Sequence, residues 1–425
     1  MTFAFRLRAA VLSAGALLFL VSLGGCQGAD SAGRRGDSTS TVAGTPADTT
    51  PAEPAWVPKP IVVALPPGAV HPADAATTTP GQSRGDSTGP RADSAATAAV
   101  GNPSDSTPPA VAPDSARVAA KAPMTPRDSA IARANTPRRI KLPPGERRRY
   151  ALTPVDSARW PVKGPELMEG SLLPEYLIVA YYGNPKSTRM GILGQIPPAE
   201  MLPKLEQTAR EWAKADPGRK VLPALHLIAT VAQGKPGPGG KYRLRHSDKV
   251  IEQVMGWAEE RGWLVFLDVQ IGHSTVADEL PHLVKYLERP YVHLALDPEF
   301  AMKLGGVPGQ RIGTLDATDI NYASQLLADI VEKKHVPPKV LVVHRFTQRM
   351  LTNHDQVKLD PRVQIVIDMD GFGAPWLKED AYKFFITPEP VQFTGFKLFY
   401  KNDKPMMTPE RVLGLWPAPV YIQYQ

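Results

Sequence analysis

An α/β fold built as a single (β/α)8 barrel of the TIM type is predicted for residues 150–425. Three observations predict it: the stretch has the length of one large α/β domain, short apolar runs recur along it, and segments of helical period separate these runs. The apolar runs number eight, which is the strand count of such a barrel. An open, doubly wound sheet is the competing architecture, because it uses the same alternation of strands and helices.

The eight apolar runs predict strands that are buried on both faces. Each run is short and bounded by turn-forming or polar residues, which is typical of parallel strands covered by helices. The predicted strands are Tyr176–Tyr182, Val221–Ala229, Leu264–Val269, Tyr291–Leu296, Lys339–His344, Val363–Met369, Gly395–Tyr400 and Val420–Tyr424.

Helical periodicity fills the segments between these runs. Apolar residues recur with a helical period across 202–212 and 250–258, and further helices are predicted at about 318–334 and 375–385. Start signals stand at Ser247, Thr275 and Thr408, the last of which precedes a proline. The Gly- and Pro-containing stretch 234–240 has neither a P-loop lysine-serine pair nor a dinucleotide fingerprint, so it is predicted to be a long loop.

The N-terminal residues predict an export signal. Arg6 and Arg8 precede an uncharged stretch at 9–21, and Leu23-Gly24-Gly25-Cys26 follows it. This pattern resembles a bacterial lipoprotein signal peptide, here residues 1–25. The resemblance implies that Cys26 becomes the acylated N-terminus, which makes membrane lipid a partner and places the protein on the bacterial envelope. Gln27 in place of Asp favours the outer membrane where one exists. An uncleaved anchor helix is the alternative.

Cys26 is the only cysteine of the chain, so the predicted barrel has no thiol for a disulfide, a zinc-thiolate site or a cysteine nucleophile. Residues 26–149 are rich in Pro, Ala, Ser and Thr, and this composition predicts a disordered linker. Basic residues at 138–149 contribute to the formal net charge of +7. No aromatic residues alternate with these charges, so nucleic acid is not a predicted partner.

Polar residues stand at the predicted carboxyl ends of the strands, where active sites of barrels lie. Side chains alternate along a strand, so Asp297 and Glu299 are predicted to share one face, as are Asp368 and Asp370. Carboxylates placed close together are costly unless they bind a cation, share a proton or accept hydrogen bonds, so they predict a site. The predicted site residues are Tyr182, His226, Asp268, Gln270, Asp297, Glu299, His344, Asp368 and Asp370.

Glycoside hydrolysis is the leading prediction for this site. It needs one carboxylic acid to protonate the leaving oxygen and a second carboxylate as base or nucleophile. Glu299 is the predicted acid, and Asp370 or Asp297 is its partner. Trp376, predicted in a loop after a strand, offers a platform for a sugar ring. Lys397 is expected to be solvated.

Two alternatives remain open. In one, residues His226, Asp268, Glu299, His344 and Asp368 bind one or two divalent metals that activate water. The histidines lack HxH or HExxH spacing, so the sequence predicts no metal or other cofactor as its first choice. In the other, the barrel binds cell-wall glycan, peptidoglycan or another ligand without turning it over.

Four segments carry a resemblance to a known family. They are 294–300 (LALDPEF), 307–313 (VPGQRIG), 344–350 (HRFTQRM) and 368–373 (DMDGFG). Together they resemble a family of uncharacterised exported bacterial lipoproteins with a glycoside-hydrolase-like barrel. The resemblance covers most of 176–424 and implies a fold and a location. It implies no activity and no catalytic residue.

Overall fold

The computed structural model describes residues 56–61 and 159–425, and the second range forms a closed barrel of eight parallel strands. We label these strands β1 (Tyr176–Gly183), β2 (Lys220–Ala232), β3 (Leu264–Val269), β4 (Val292–Leu296), β5 (Lys339–His344), β6 (Val363–Met369), β7 (Phe393–Leu398) and β8 (Tyr421–Tyr424). Each strand pairs with the next, and β8 pairs with β1, where Ile178 lies opposite Tyr421. This last pairing closes the sheet. The predicted barrel is therefore confirmed, and the open doubly wound sheet is excluded.

The predicted strands are all present, with small differences in their bounds. The bounds of β3, β5 and β6 agree with prediction, whereas β7 begins at Phe393 and ends at Leu398. β2 continues to Ala232 because the short strand Arg243–Arg245 pairs antiparallel with its end. The predicted loop at 234–240 is thus the connection of a hairpin, which backbone hydrogen bonds hold to β2.

Eight α-helices lie between or after the strands. They are α1 (Ile192–Gln195), α2 (Pro198–Ala215), α3 (Asp248–Glu259), α4 (Val276–Glu279), α5 (Val284–Leu287), α6 (Ala317–Lys334), α7 (Pro375–Ala381) and α8 (Pro409–Leu413) among the described residues. Thr275 and Thr408 cap α4 and α8 as predicted, since their hydroxyls accept backbone N–H groups at 3.1 and 3.3 Å. Ser247 precedes α3 but makes no capping hydrogen bond with its side chain. After α7 the chain continues as a π-helical turn to Ile386.

We call the end of the barrel where the strands begin the floor and the end where they finish the mouth. At the floor, Gln364 of β6 is fully buried. Its Oε1 accepts the N–H groups of Leu172 and Leu173 at 2.8 and 3.1 Å, and its Nε2 donates to the Leu173 carbonyl at 2.7 Å. One side chain therefore satisfies the backbone of the turn that precedes β1.

Residues 56–61 also lie near the floor, although they belong to the predicted linker. Ile61 and Val221 exchange two backbone hydrogen bonds, of 2.7 and 3.0 Å, in an antiparallel bridge at the start of β2. The ring of Trp56 lies 5.4 Å from that of Tyr291. The prediction of a disordered linker at residues 26–149 did not include this contact with the barrel.

Within the described ranges the structure has no helix with the length and apolar character needed to cross a bilayer. The predicted signal peptide, Cys26 and the rest of the predicted linker lie outside the described residues.

Candidate functional site

Ionisable side chains converge inside the barrel toward its mouth. Parallel strands in register bring them together: Tyr182 of β1 lies opposite His226 of β2, and His344 of β5 lies opposite Asp368 of β6. All four residues are at least 97% buried. Because buried polar groups are costly unless they are paired, this concentration marks the mouth as the candidate site.

Asp297, Glu299 and Asp370 form one group, which we call the acid cluster. The expectation that Asp297 and Glu299 alternate along a strand is wrong, because β4 ends at Leu296. Pro298 instead begins a 3-10 turn, which Asp297 caps by accepting the N–H of Glu299 at 3.1 Å. Both carboxyls nevertheless remain at the mouth with Asp370, which directly follows β6.

Gln270 orients the acid cluster. Its Nε2 donates to Asp297 Oδ2 at 3.1 Å, while its Oε1 accepts the N–H of Ala232 at 3.0 Å. With the N–H of Glu299 on Oδ1, both oxygens of Asp297 accept a hydrogen bond. Asp297 is therefore held in one orientation, which suits a carboxylate that must face a reacting atom.

Two carboxyl groups of the acid cluster, Glu299 and Asp370, have raised pKa values. Burial, together with the negative charges of Asp297 and Asp370, raises the pKa of Glu299 to about 8. Burial also raises the pKa of Asp370 to about 7, although the positive charges of His344 and Lys397 oppose that shift. At neutral pH the protonated form of Glu299 is consequently favoured, and Asp370 beside it ionises at a lower pH than Glu299.

His226, Asp268 and His344 form a second group, the histidine cluster. Each is fully buried, and one ligand atom from each residue lies within 4.8 Å of the other two. His344 Nε2 lies 3.9 Å from Asp268 Oδ2, which also accepts the Tyr182 hydroxyl at 3.1 Å. Imidazole nitrogens and a carboxylate in this arrangement are the donor set of a transition-metal site.

The Nδ1 atoms of both histidines have polar neighbours, but only that of His226 forms a hydrogen bond. His226 Nδ1 lies 2.6 Å from the hydroxyl of Tyr421 and 2.9 Å from Nε2 of Gln423. His344 Nδ1 lies 3.2 Å from Asp368 Oδ2 and 3.5 Å from Asp370 Oδ2. Within the described structure both Nε2 atoms, and His344 Nδ1 as well, have no partner with hydrogen-bond geometry.

Charge differs sharply between the two imidazoles. Burial, followed by the positive charges of His344 and Lys397, lowers the pKa of His226 well below 6.5. Burial also acts to lower the pKa of His344, but contact with Asp368 and the charges of Asp268 and Asp370 raise it to about 9. Burial raises the pKa of Asp268 to about 6. The histidine cluster thus holds a neutral imidazole, an imidazolium and a carboxyl group.

Lys397 is a site residue that sequence reasoning missed. The expectation of a solvated lysine is wrong, since Lys397 of β7 is 4% exposed and its Nζ lies 3.8 Å from the ring centroid of Tyr182. An ammonium over an aromatic face is an attractive contact, and here it also places a positive charge among carboxyl groups. One signal was available in the sequence. Lys397 follows Gly395 by two residues, so both lie on the same face of β7, and Gly395 lies opposite Asp368.

The prediction that Trp376 lies in a loop is wrong, because it lies in the first turn of α7, where its side chain is 49% exposed. The other predicted site residues come together inside the barrel, whereas Cys26 lies outside the described residues. Tyr421 and Gln423, which contact His226, were missed because nothing in the β8 sequence distinguishes them from packing residues.

Comparison with known proteins adds no relative. No protein-family model matches the chain, and no curated protein matches it in sequence.

Proposed function

We propose that this chain is an exported, lipid-anchored envelope protein whose barrel hydrolyses glycosidic bonds in a cell-wall or environmental polysaccharide. The observation that carries the proposal is the acid cluster: a protonated Glu299 stands at the mouth with Asp297 and Asp370. Pairs of carboxyls whose environments separate their protonation states are the basis of acid and base assignments in glycosidases.

In the proposed reaction Glu299 is the general acid. As the bond between the anomeric carbon and the leaving oxygen breaks, the Glu299 proton moves to that oxygen. Asp297 or Asp370 stabilises the positive charge that develops on the sugar, either as a nucleophile or as the base that activates water. Water supplies the new hydroxyl, and its second proton restores the acid. The net reaction consumes one water and needs no redox partner.

Aromatic side chains at the rim support a sugar substrate. Phe372 and Trp376, which follow β6, are 48% and 49% exposed. Phe372 makes an edge-to-face contact with Phe399, with ring centroids 5.8 Å apart, so protein packing supports its ring. Exposed aromatic faces beside a polar site provide apolar surface on which a sugar ring can stack.

The envelope location rests on residues 23–26 and on the family resemblance. An acylated Cys26 would tether the chain to membrane lipid, and peptidoglycan or polysaccharide would then be within reach of the barrel. Radiolabelled palmitate incorporated into the wild-type chain, but not into Cys26→Ser, is the expected result. Labelling that persists in the variant would contradict the anchor.

The activity test compares Glu299→Gln with wild type. We expect the full chain to release reducing ends from at least one member of a panel of peptidoglycan and plant and microbial glycans. Glu299→Gln should lower that rate at least about 100-fold, because it removes the proton donor and keeps the shape. The matched control is Glu288→Gln, which changes a surface glutamate paired with Lys334 at 3.1 Å.

Two results would overturn the proposal. One is hydrolysis that Glu299→Gln leaves unchanged. The other is a wild-type chain that binds a glycan without cleaving it, which would identify the barrel as a binding module.

A further inference from the structure

We infer that the histidine cluster is a binding site for one divalent transition-metal ion, with zinc as the ion to test. The cluster lies beside the acid cluster, and its occupancy does not depend on the proposed glycosidase activity. Three side chains from separate strands supply it: His226 from β2, Asp268 from β3 and His344 from β5.

The first support is the set of buried atoms without partners. His226 Nε2, His344 Nε2 and Asp268 Oδ1 are all buried and have no hydrogen-bond partner in the described structure. A buried polar group without a partner destabilises the fold, and three such groups occur within a single cluster. A cation bound by the two Nε2 atoms and the Asp268 carboxylate would give these groups a partner.

The second support is distance. One ligand atom from each residue lies within 4.8 Å of the other two. Zinc binds imidazole nitrogen and carboxylate oxygen at about 2.0–2.2 Å, so each ligand atom would need to move by less than about 1 Å to contact a shared ion. Small side-chain rotations are sufficient for such a displacement.

The third support is the set of groups behind the ligands. A metal-binding histidine usually donates its other ring N–H to a carboxylate, carbonyl or similar acceptor, which fixes the tautomer. Asp368 Oδ2 stands 3.2 Å behind His344 Nδ1, and the Tyr421 hydroxyl stands 2.6 Å behind His226 Nδ1. The hydrogen bond at Nδ1 holds His226, whereas His344 has an ion-pair contact at Nδ1 and its Nε2 lies 3.9 Å from Asp268 Oδ2. Metal binding must therefore displace the Nε2 proton of the His344 imidazolium.

The tautomer at His226 requires one assignment. If Nδ1 carries the proton, Gln423 must present its carbonyl oxygen to the ring, which a half-turn of the amide achieves without moving heavy atoms. Gln423 Oε1 is itself buried and unpartnered in the present orientation, so this exchange also gives it a donor. His226 Nε2 then carries the lone pair that a metal needs.

The donor set indicates the class of ion. Two imidazoles and one carboxylate favour Zn²⁺ and its transition-metal neighbours, whereas Mg²⁺ and Ca²⁺ prefer oxygen ligands alone. No cysteine is present in the barrel to favour a soft ion. Tyr182, which donates to Asp268 Oδ2 at 3.1 Å, borders the site on the side of Lys397.

The test measures metal binding rather than turnover. The purified full chain, stripped with a chelator, is dialysed against Zn²⁺, and its metal content is measured by elemental mass spectrometry. We expect one equivalent per chain. His226→Gln, His344→Gln and Asp268→Asn should each weaken Zn²⁺ binding by more than 100-fold, while Tyr421→Phe should weaken it about 10- to 100-fold.

The matched control is His293→Gln. His293 is another buried barrel histidine with an unpartnered Nε2, but the charge that acts on it is Lys339 and not a carboxylate. The His293→Gln substitution should leave zinc binding unchanged.

Co²⁺ provides a readout on the unaltered chain. Intense visible absorption bands from a four-coordinate Co²⁺ are expected, so the test remains informative even if a variant fails to fold. Three results would overturn the inference: less than 0.1 equivalent of zinc in the wild-type chain, zinc that persists in the His226→Gln/His344→Gln variant, or displacement of zinc by millimolar Ca²⁺. Because no substrate is present, failure of metal binding and failure of glycoside hydrolysis are observed separately.

Discussion

The floor and the mouth of the barrel both bury polar side chains, but they use them differently. At the floor, Gln364 forms three hydrogen bonds with the backbone of Leu172 and Leu173. Nearby, the Lys339 ammonium donates to the carbonyls of Arg289 and Val292 at 2.5 and 3.1 Å. At the mouth, both carboxylate oxygens of Asp368 are buried without a hydrogen-bond partner.

This difference separates polar groups that stabilise the fold from polar groups that are available to a ligand. Floor groups are saturated by backbone atoms that no ligand can replace, so they stabilise the fold. Mouth groups retain unused donors and acceptors in a low-dielectric interior, where a bound cation or a reacting substrate would interact strongly with them. Not every floor group is saturated: His293 Nε2 and Trp56 Nε1 have no hydrogen-bond partner among the described residues, and both side chains border a cavity of about 510 Å³.

The largest expected effect is on the stability of the floor. Gln364→Ala would leave two N–H groups and one carbonyl buried without partners, and it should lower the free energy of unfolding by about 3–5 kcal/mol. Urea denaturation of the full chain measures the change. The control Gln325→Ala removes an exposed hydrogen bond within α6 and should cost less than about 0.5 kcal/mol. Equal losses for the two variants would contradict the structural role of Gln364.

Local pattern made much of this molecule predictable from sequence. The short apolar runs predicted the strands, and their number predicted that the sheet closes into a barrel. Asp268, His344 and Asp368 could be placed at the mouth because each occupies the last or the next-to-last position of a strand. Helix starts at Thr275 and Thr408 were recognisable because capping depends only on neighbouring residues.

Contacts across the barrel were not predictable. Lys397 was expected to be solvated, since only the closed sheet brings it over Tyr182. Tyr421 supports His226 from a strand 195 positions away in sequence. The turn at Pro298 was missed for a local reason. The strand was predicted to end at Leu296, yet strand alternation was applied to Asp297 and Glu299, although an Asp before a proline can cap a turn. Partners of this kind are set by tertiary structure, which a single sequence does not reveal.

The second prediction concerns Glu299 at the mouth, which should make the stability of the protein depend on pH. The folded-state pKa of Glu299 is about 8, raised from 4.5 by burial and by its acidic neighbours. Between these two values the native chain holds a proton that the unfolded chain has released, so stability falls as pH rises through this window. Glu299→Gln removes the free-energy cost of ionising this buried carboxyl group. Its melting temperature relative to wild type should therefore rise between pH 5 and pH 9, by an amount on the order of a few degrees.

Differential scanning calorimetry across that pH range checks the expectation, with Glu288→Gln as the surface control. A melting-temperature difference between Glu299→Gln and wild type that stays flat from pH 5 to pH 9 would show that Glu299 does not hold its proton in the native state. The acid role proposed for Glu299 would then lose its basis.

The smallest effect compares two tryptophans at opposite ends of the barrel. Trp56 is partly buried against Tyr291 near the floor, so Trp56→Ala should lower the free energy of unfolding by about 1–2 kcal/mol. It should also speed hydrogen exchange at the Val221 amide, which donates to the Ile61 carbonyl at 3.0 Å. Trp376→Ala at the rim should change stability by less than about 0.5 kcal/mol yet weaken glycan binding. If Trp376→Ala left glycan binding intact, the rim would have no role as a sugar platform, and the mouth would be recognised through its charged groups alone.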